Sequence, residues 1–154
     1  MLIIRTARPE DLAVIVEYNQ RLAQETEGKA LSQQTLERGV QAVLADPERA
    51  TYYLAELEGQ VVGQLMITRE WSDWRNGWLW WIQSVYVQQA HRRSGVFKAL
   101  YQHVLAEGRR RGDVAGVRLY VEKHNTAARA TYNRLGMSDA GYLVLELCPL
   151  GPES

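Results

Sequence analysis

The sequence predicts a mixed α/β domain in which a mostly antiparallel sheet is flanked by helices, in the order β-α-α-β-β-β-α-β-α-β. Three observations lead there. Apolar residues recur at helical spacing over 12–23, 36–44 and 96–105. The pattern turns strand-like over 51–57, 61–68 and 78–87. Capping and turn residues stand where the pattern changes.

Each element has its own signal. Leu2 to Arg5 is a short apolar strand. Pro9, Glu10 and Asp11 open the first helix, because proline suits the first turn and acids suit the positive end of the dipole. Leu12, Ile15, Val16, Leu22 and Ala23 form its apolar face, and Glu25 to Lys29 break it. Ser32 caps a second helix carrying Leu36, Val40, Val43 and Leu44, which stops at Asp46-Pro47. Thr51–Leu57 and Val61–Thr68 flank the turn Glu58-Gly59-Gln60, and a loop through Asp73 and Asn76-Gly77 leads to a third strand, Trp78–Val87. These three make an antiparallel meander. A helix follows from about Gly95 to Arg111, with Gly112 at its C-terminal end. Gly116–Glu122 is the next strand, and it lies parallel to Trp78–Val87 across a helical crossover. Asn125 caps a helix closed by Leu135-Gly136, and Gly141–Leu147 is the expected last strand.

Composition narrows the function. The 154 residues, 46% of them hydrophobic, suit one domain over 1–150 with a short tail at 151–154, since a chain of this size buries roughly 70% of its unfolded surface. Eighteen basic residues balance eighteen acidic ones, which argues against a general nucleic-acid or anionic-membrane partner. The longest apolar run, Trp78–Ile82, is far short of the roughly 20 residues of a membrane span. Arg5 and Arg8 interrupt any signal-peptide pattern at the N-terminus. The single Cys148 forms no internal disulfide, and a cytoplasmic protein is expected. His91, His103 and His124 lack metal-ligand spacing, so no metal site is expected. Arg109-Arg110-Arg111 complements the dipole at a helix C-terminus.

The segment 85–100 carries the chemistry. It places a buried strand, a loop with Arg92 and Arg93, Gly95 and a helix N-terminus in succession. Unpartnered N–H groups, a permissive glycine and nearby positive charge describe a phosphate or pyrophosphate cradle. The alternative is a solvated loop. No GK[ST] and no GxGxxG accompanies it.

Arg92-x-x-Gly95-x-Phe97 after Val85-Tyr86-Val87 resembles the coenzyme A loop of the GNAT N-acetyltransferase superfamily, [QR]-x-x-G-x-[GA]. Leu119-Tyr120-Val121-Glu122, Asn125 to Tyr132 and Leu135-Gly136-Met137 resemble that family's second motif, and Ile4-Arg5 with Pro9 to Leu12 its opening. The element order is also the family's, so the resemblance spans nearly the whole chain. Phe97 departs from it, standing where the pattern has a small residue.

The resemblance implies acetyl-CoA as co-substrate. The main chain of Val85 and Val87 would pair with the pantetheine arm, and Arg92, Arg93, Ser94, Gly95, Val96, Phe97 and Lys98 would hold the pyrophosphate. Asn125 would contact the far side, and the Val85 N–H would steady the thioester carbonyl oxygen. Tyr132 stands at the general-acid position. The implied reaction is direct transfer of an acetyl group to a primary amine of a small molecule or peptide. The base is open between Glu25, Glu27, Glu70 and a water relayed through Gln83 or Ser84, because Gln83 and Ser84 occupy the strand where many relatives carry a carboxylate. That substitution also leaves a second reading, a non-catalytic acyl-CoA sensor. All five tryptophans fall between Trp71 and Trp81. Trp78 and Trp80 are expected on one face of a buried strand and Trp81 on the other; the alternative is that Trp71 or Trp74, in the loop, lines an acceptor pocket or a homodimer contact.

Overall fold

A computed structural model describes residues 1–152. The chain divides into two compact units, Met1–Tyr120 and a second that begins at Val121. The first holds five strands and three helices: β1 (Leu2–Thr6), α1 (Leu12–Glu27), α2 (Gln33–Ala45), β2 (Thr51–Leu57), β3 (Gln60–Ser72), β4 (Gly77–Val87), α3 (Val96–Arg111) and β5 (Val114–Leu119). The sheet order is β1-β2-β3-β4-β5. β1 to β4 pair antiparallel, and β4 and β5 pair parallel, as the meander and the crossover require.

The boundaries follow local chemistry. Pro9–Asp11 forms a 3-10 turn that feeds α1, with the Asp11 carboxylate accepting the Arg8 N–H at 2.7 Å. α1 continues through Glu25 to Glu27 and ends at Gly28, so the break falls slightly later than expected. Ser32 caps α2 as its sequence position predicts, accepting the Thr35 N–H at 3.3 Å.

Strand alternation sends side chains to two cores. Tyr52 and Leu54 pack with Ile15, Val16 and Val40 of α1 and α2. On the opposite face Tyr53 meets His103 of α3 edge-on at 5.0 Å. The register puts Tyr53, Leu65, Ile67, Trp80 and Ile82 on this α3 face, and Leu54, Gln64, Met66, Trp81 and Gln83 on the other. The two faces of β4 therefore separate Trp80 from Trp81 as expected. No helix among the described residues is long and apolar enough to cross a membrane.

One ionic cluster ties β1 to this frame. Arg5 grips the buried Asp11 with two hydrogen bonds, 2.8 and 3.0 Å, and reaches Glu56 at 2.6 Å. The Arg5 hydrogen bonds hold the Asp11 carboxyl below the usual carboxylate range. A depressed folded-state pKa adds stability above the unfolded value, about 4, which is lost as pH falls through the folded one. Asp11→Asn should therefore cost about 1.5–3 kcal/mol at pH 7, the worth of a hydrogen bond to a charged group, and flatten the acid limb of stability against pH. Denaturant melts across pH 3–7 check this. An unchanged acid limb would show that Asp11 does not set it.

The second unit holds α4 (Thr126–Arg134), capped by Asn125, whose Oδ1 accepts the Ala128 N–H at 3.1 Å. The expected last strand, Gly141–Leu147, is not one: these residues have no strand assignment. The reason is physical. Apolar, β-prone residues suit a strand, but a strand exists only where a neighbour pairs its N–H and C=O groups. Tyr142, Leu143, Val144, Leu145 and Leu147 are 65–90% exposed.

Candidate functional site

The end of β4 is irregular on both sides. Its pairing with β5 stops at Ile82–Leu119, so 83–87 have no β5 partner. Toward β3 the register slips, and Ser84 and Val85 together face the stretch of β3 between Gln64 and Met66. This is a bulge, which kinks a strand and re-aims its backbone groups. Ser84 takes a left-handed φ of 53° to make it.

Buried polar groups brace the bulge from behind. Gln64 is fully buried, and its Nε2 donates to the Ser84 carbonyl at 3.0 Å. Its Oε1 has no partner among the described residues. The Tyr52 hydroxyl takes hydrogen bonds with Asn19 and Ser84, and burial, partly opposed by those bonds, raises its pKa. The strand pattern foretells neither the bulge nor the role of Gln64, because a glutamine in an alternating strand reads as the polar face.

The loop beyond β4 is shaped for an anion. Arg93 (φ 63°) and Gly95 (φ 87°) flank Ser94 in left-handed conformations, turning successive N–H groups inward as a nest does. At Gly95 the requirement is conformational, since a Cβ there would meet open space. The Ser94 hydroxyl donates to the His91 carbonyl. Among the described residues no side chain caps α3, whose first bond runs from the Ala99 N–H to the Gly95 carbonyl at 3.0 Å. The first turn thus presents the positive end of the helix. Gly63 lets α3 start close to the sheet: a Cβ there would lie 2.8 Å from Val96 Cγ1.

The sequence-predicted residues divide by role. Val85 and Val87 lie half-buried at the freed end of β4. Arg93, Ser94 and Lys98 are exposed beside the helix start, and Val96 is buried beneath it. Phe97 runs alongside Tyr101, ring centres 6.0 Å apart, one turn further along α3. Arg92 is braced: Nε donates to the Val87 carbonyl at 2.9 Å, Nη2 meets Glu25 at 2.7 Å, and the guanidinium lies 5.3 Å over the Tyr86 ring. It holds the end of α1 against the loop, with its charge shared with Glu25. Asn125 and Tyr132 belong to the second unit. Asn125 caps α4, and burial raises the pKa of the half-buried Tyr132 phenol.

The base candidates are engaged in different ways. Glu25 pairs with Arg92, and exposed Glu27 lies 3.8 Å from Lys29. Glu70 accepts the Trp81 indole N–H at 2.8 Å and sits 4.0 Å from Arg118. Gln83 donates to Thr68 at 2.6 Å. Of the tryptophans, Trp80 is core at 2% exposure and Trp74 is 90% exposed. Trp71 packs edge-on against Trp78 at 5.1 Å, and Trp81 stacks on Tyr120 at 4.6 Å.

Comparison with known proteins agrees with this geometry. The model of the "Acetyltransferase (GNAT) family" matches residues 13–137. A possible acetyltransferase from Clostridium difficile 630 is 42% identical, with 98% of this chain and 99% of that one covered at a TM-score of 0.91. A predicted acetyltransferase from Clostridium acetobutylicum, solved with acetyl-CoA, is 21% identical over 95% and 96% of the chains at a TM-score of 0.76. Ribosomal-protein-alanine N-acetyltransferase from Brucella melitensis biovar Abortus 2308 is 18% identical over 96% and 98%, also at 0.76. The last two likenesses are of fold alone. No curated protein matches by sequence.

Proposed function

Because the chain belongs to the GNAT acetyltransferase family, whose co-substrate is acetyl-CoA, we propose that it transfers an acetyl group to a primary amine of a small molecule or peptide. What supports the reading most is the end of β4, where a bulge and a free edge adjoin an uncapped helix N-terminus. The residues present fit acetyl-CoA. The main chain of Val85 and Val87 offers strand-like pairing to the pantetheine arm. The turn from Arg93 to Lys98 offers backbone N–H groups and two exposed cations to the pyrophosphate. Asn125 is assigned to its far side.

Bound acetyl-CoA supplies an activated acetyl thioester. The chain's own residues must do the rest. An alkylamine of pKa about 10 is neutral in only about one molecule in a thousand at pH 7, so its proton must be taken by a base or a water. Glu25, Glu27, Glu70 and a water relayed through Gln83 or Ser84 are the candidates. The Val85 N–H donates a hydrogen bond to a carbonyl oxygen as negative charge gathers there. Tyr132 holds a proton on Oη for the departing sulfur.

The test is mass spectrometry of pooled polyamines, aminoglycosides, amino acids and peptides incubated with acetyl-CoA and the protein. The expected result is a protein-dependent product heavier by one acetyl group. Acetyl-CoA binding with no product across the pool would replace this reading with that of an acyl-CoA sensor.

A further inference from the structure

We propose that Glu25 sets the affinity for acetyl-CoA by competing with the donor's pyrophosphate for one guanidinium, that of Arg92. The proposal rests on the reading of 85–98 as the donor site.

Arg92 stands between two negative claims. Of the three cations over 92–98, Arg92, Arg93 and Lys98, it is the one in an ion pair among the described residues. Its Nε donates to the Val87 carbonyl at 2.9 Å and its Nη2 to Glu25 at 2.7 Å. These two nitrogens form one edge of the guanidinium fork, the kind of edge that meets two phosphate oxygens together. The donor has a use for both ends of this arrangement: the cation suits its pyrophosphate, and the main chain of Val87 suits its pantetheine arm.

The end of α1 explains why the cation is held there. Its last turn carries Glu25 and Glu27, has no basic residue and stops at Gly28. A helix C-terminus bears partial negative charge, so acids in the last turn are unfavourable without a cation nearby. Lys29 lies 3.8 Å from Glu27. Arg92, 67 positions along the chain, serves Glu25.

The exchange costs little. The two side chains are 41% and 42% exposed, and an exposed ion pair contributes little to stability. Phosphate oxygens at a nest and a helix N-terminus offer the same cation stronger, charge-assisted bonds. The Tyr86 ring, 5.3 Å from the guanidinium, gives the cation a face to rest on as its partners change. Once Arg92 turns to the donor, the last turn of α1 has lost its cation and loosens. The coupling is reciprocal, so removing Glu25 must strengthen the donor's hold by as much as the donor weakens the pair.

The experiment titrates the whole protein with coenzyme A at physiological ionic strength and follows hydrogen exchange. Glu25→Gln should bind coenzyme A about two- to fivefold more tightly, the range an exposed ion pair is worth. Arg92→Gln should bind it more weakly, and adding Glu25→Gln to that variant should change nothing further. Glu27→Gln should keep the wild-type affinity. The Gly28 and Lys29 amides, which bond to the carbonyls of Gln24 and Ala23 at 3.0 and 3.3 Å, should exchange faster in the wild type when coenzyme A is added. In Glu25→Gln they should be fast already. Equal or weaker binding by Glu25→Gln would make the pair merely structural and overturn the proposal. Tightening that persists alongside Arg92→Gln, or that Glu27→Gln shares, would show general charge repulsion and overturn it as well, as would coenzyme A slowing exchange at Gly28 and Lys29. All these readouts are of binding, so a chain that binds coenzyme A and acetylates nothing would defeat the enzymatic reading alone. A wild type that binds no coenzyme A would remove the donor site, and this proposal with it.

Discussion

Tyr132→Phe is expected to lower kcat by about 10²–10⁴-fold, the usual worth of one positioned acid, with acetyl-CoA affinity nearly unchanged. The substitution removes a single oxygen and keeps the ring on α4. The groups assigned to the donor, 85–98 and Asn125, are left unaltered, so the loss should fall on kcat and kcat/KM together, the signature of an interaction made only in the transition state. The pH profile adds a second constraint. Burial raises the Tyr132 phenol above its ordinary value, about 10, so the proton stays on Oη through neutral pH. Wild-type kcat should decline only once pH passes above the tyrosine range, and the phenylalanine variant should lack that decline. Stopped turnover with a thiol-trapping reagent measures both. A variant with wild-type kcat would take Tyr132 out of the mechanism.

How much of this was legible in sequence depended on the distance over which each signal acts. Local signals worked: Ser32, Asn125 and Gly112 mark helix ends because capping is settled within a few residues. The order of the meander and the parallel crossover also followed from pattern. Arg92 is different. In sequence it is a cation beside an anion cradle, but its partner Glu25 is 67 positions away, and no periodicity reports that pairing. The bulge at Ser84 is hidden for another reason. Left-handed backbone is usually announced by glycine or asparagine, and here a serine is held in it by buried groups on β2, β3 and α1. Residues 141–147 show the remaining limit. Strand propensity is written in the segment, whereas its pairing partner is not.

Gln64 is where stability and activity should part. Gln64→Leu leaves an apolar side chain one bond shorter in the site and removes the Nε2 donor that fixes the Ser84 carbonyl at 3.0 Å. It also removes a buried Oε1 with no partner among the described residues, a group that costs about 1–3 kcal/mol when left unsatisfied. The two effects oppose each other, so the melting temperature should change little. Activity has no such compensation. The backbone that aims the Val85 N–H is then free to relax from the bulge, and a misplacement of about 1 Å at a reacting centre can cost 10²-fold. The expected result is a fall of about that size in kcat with acceptor KM nearly constant. Gln64→Glu has the same shape and no donor, and it should be as slow and less stable, since it buries a carboxylate against a carbonyl. A purely structural glutamine would behave otherwise: activity would track the melting temperature, and Gln64→Leu would be close to wild type in both. That outcome would detach the buried amide from catalysis and leave the bulge to be held by Tyr52 and Asn19 alone.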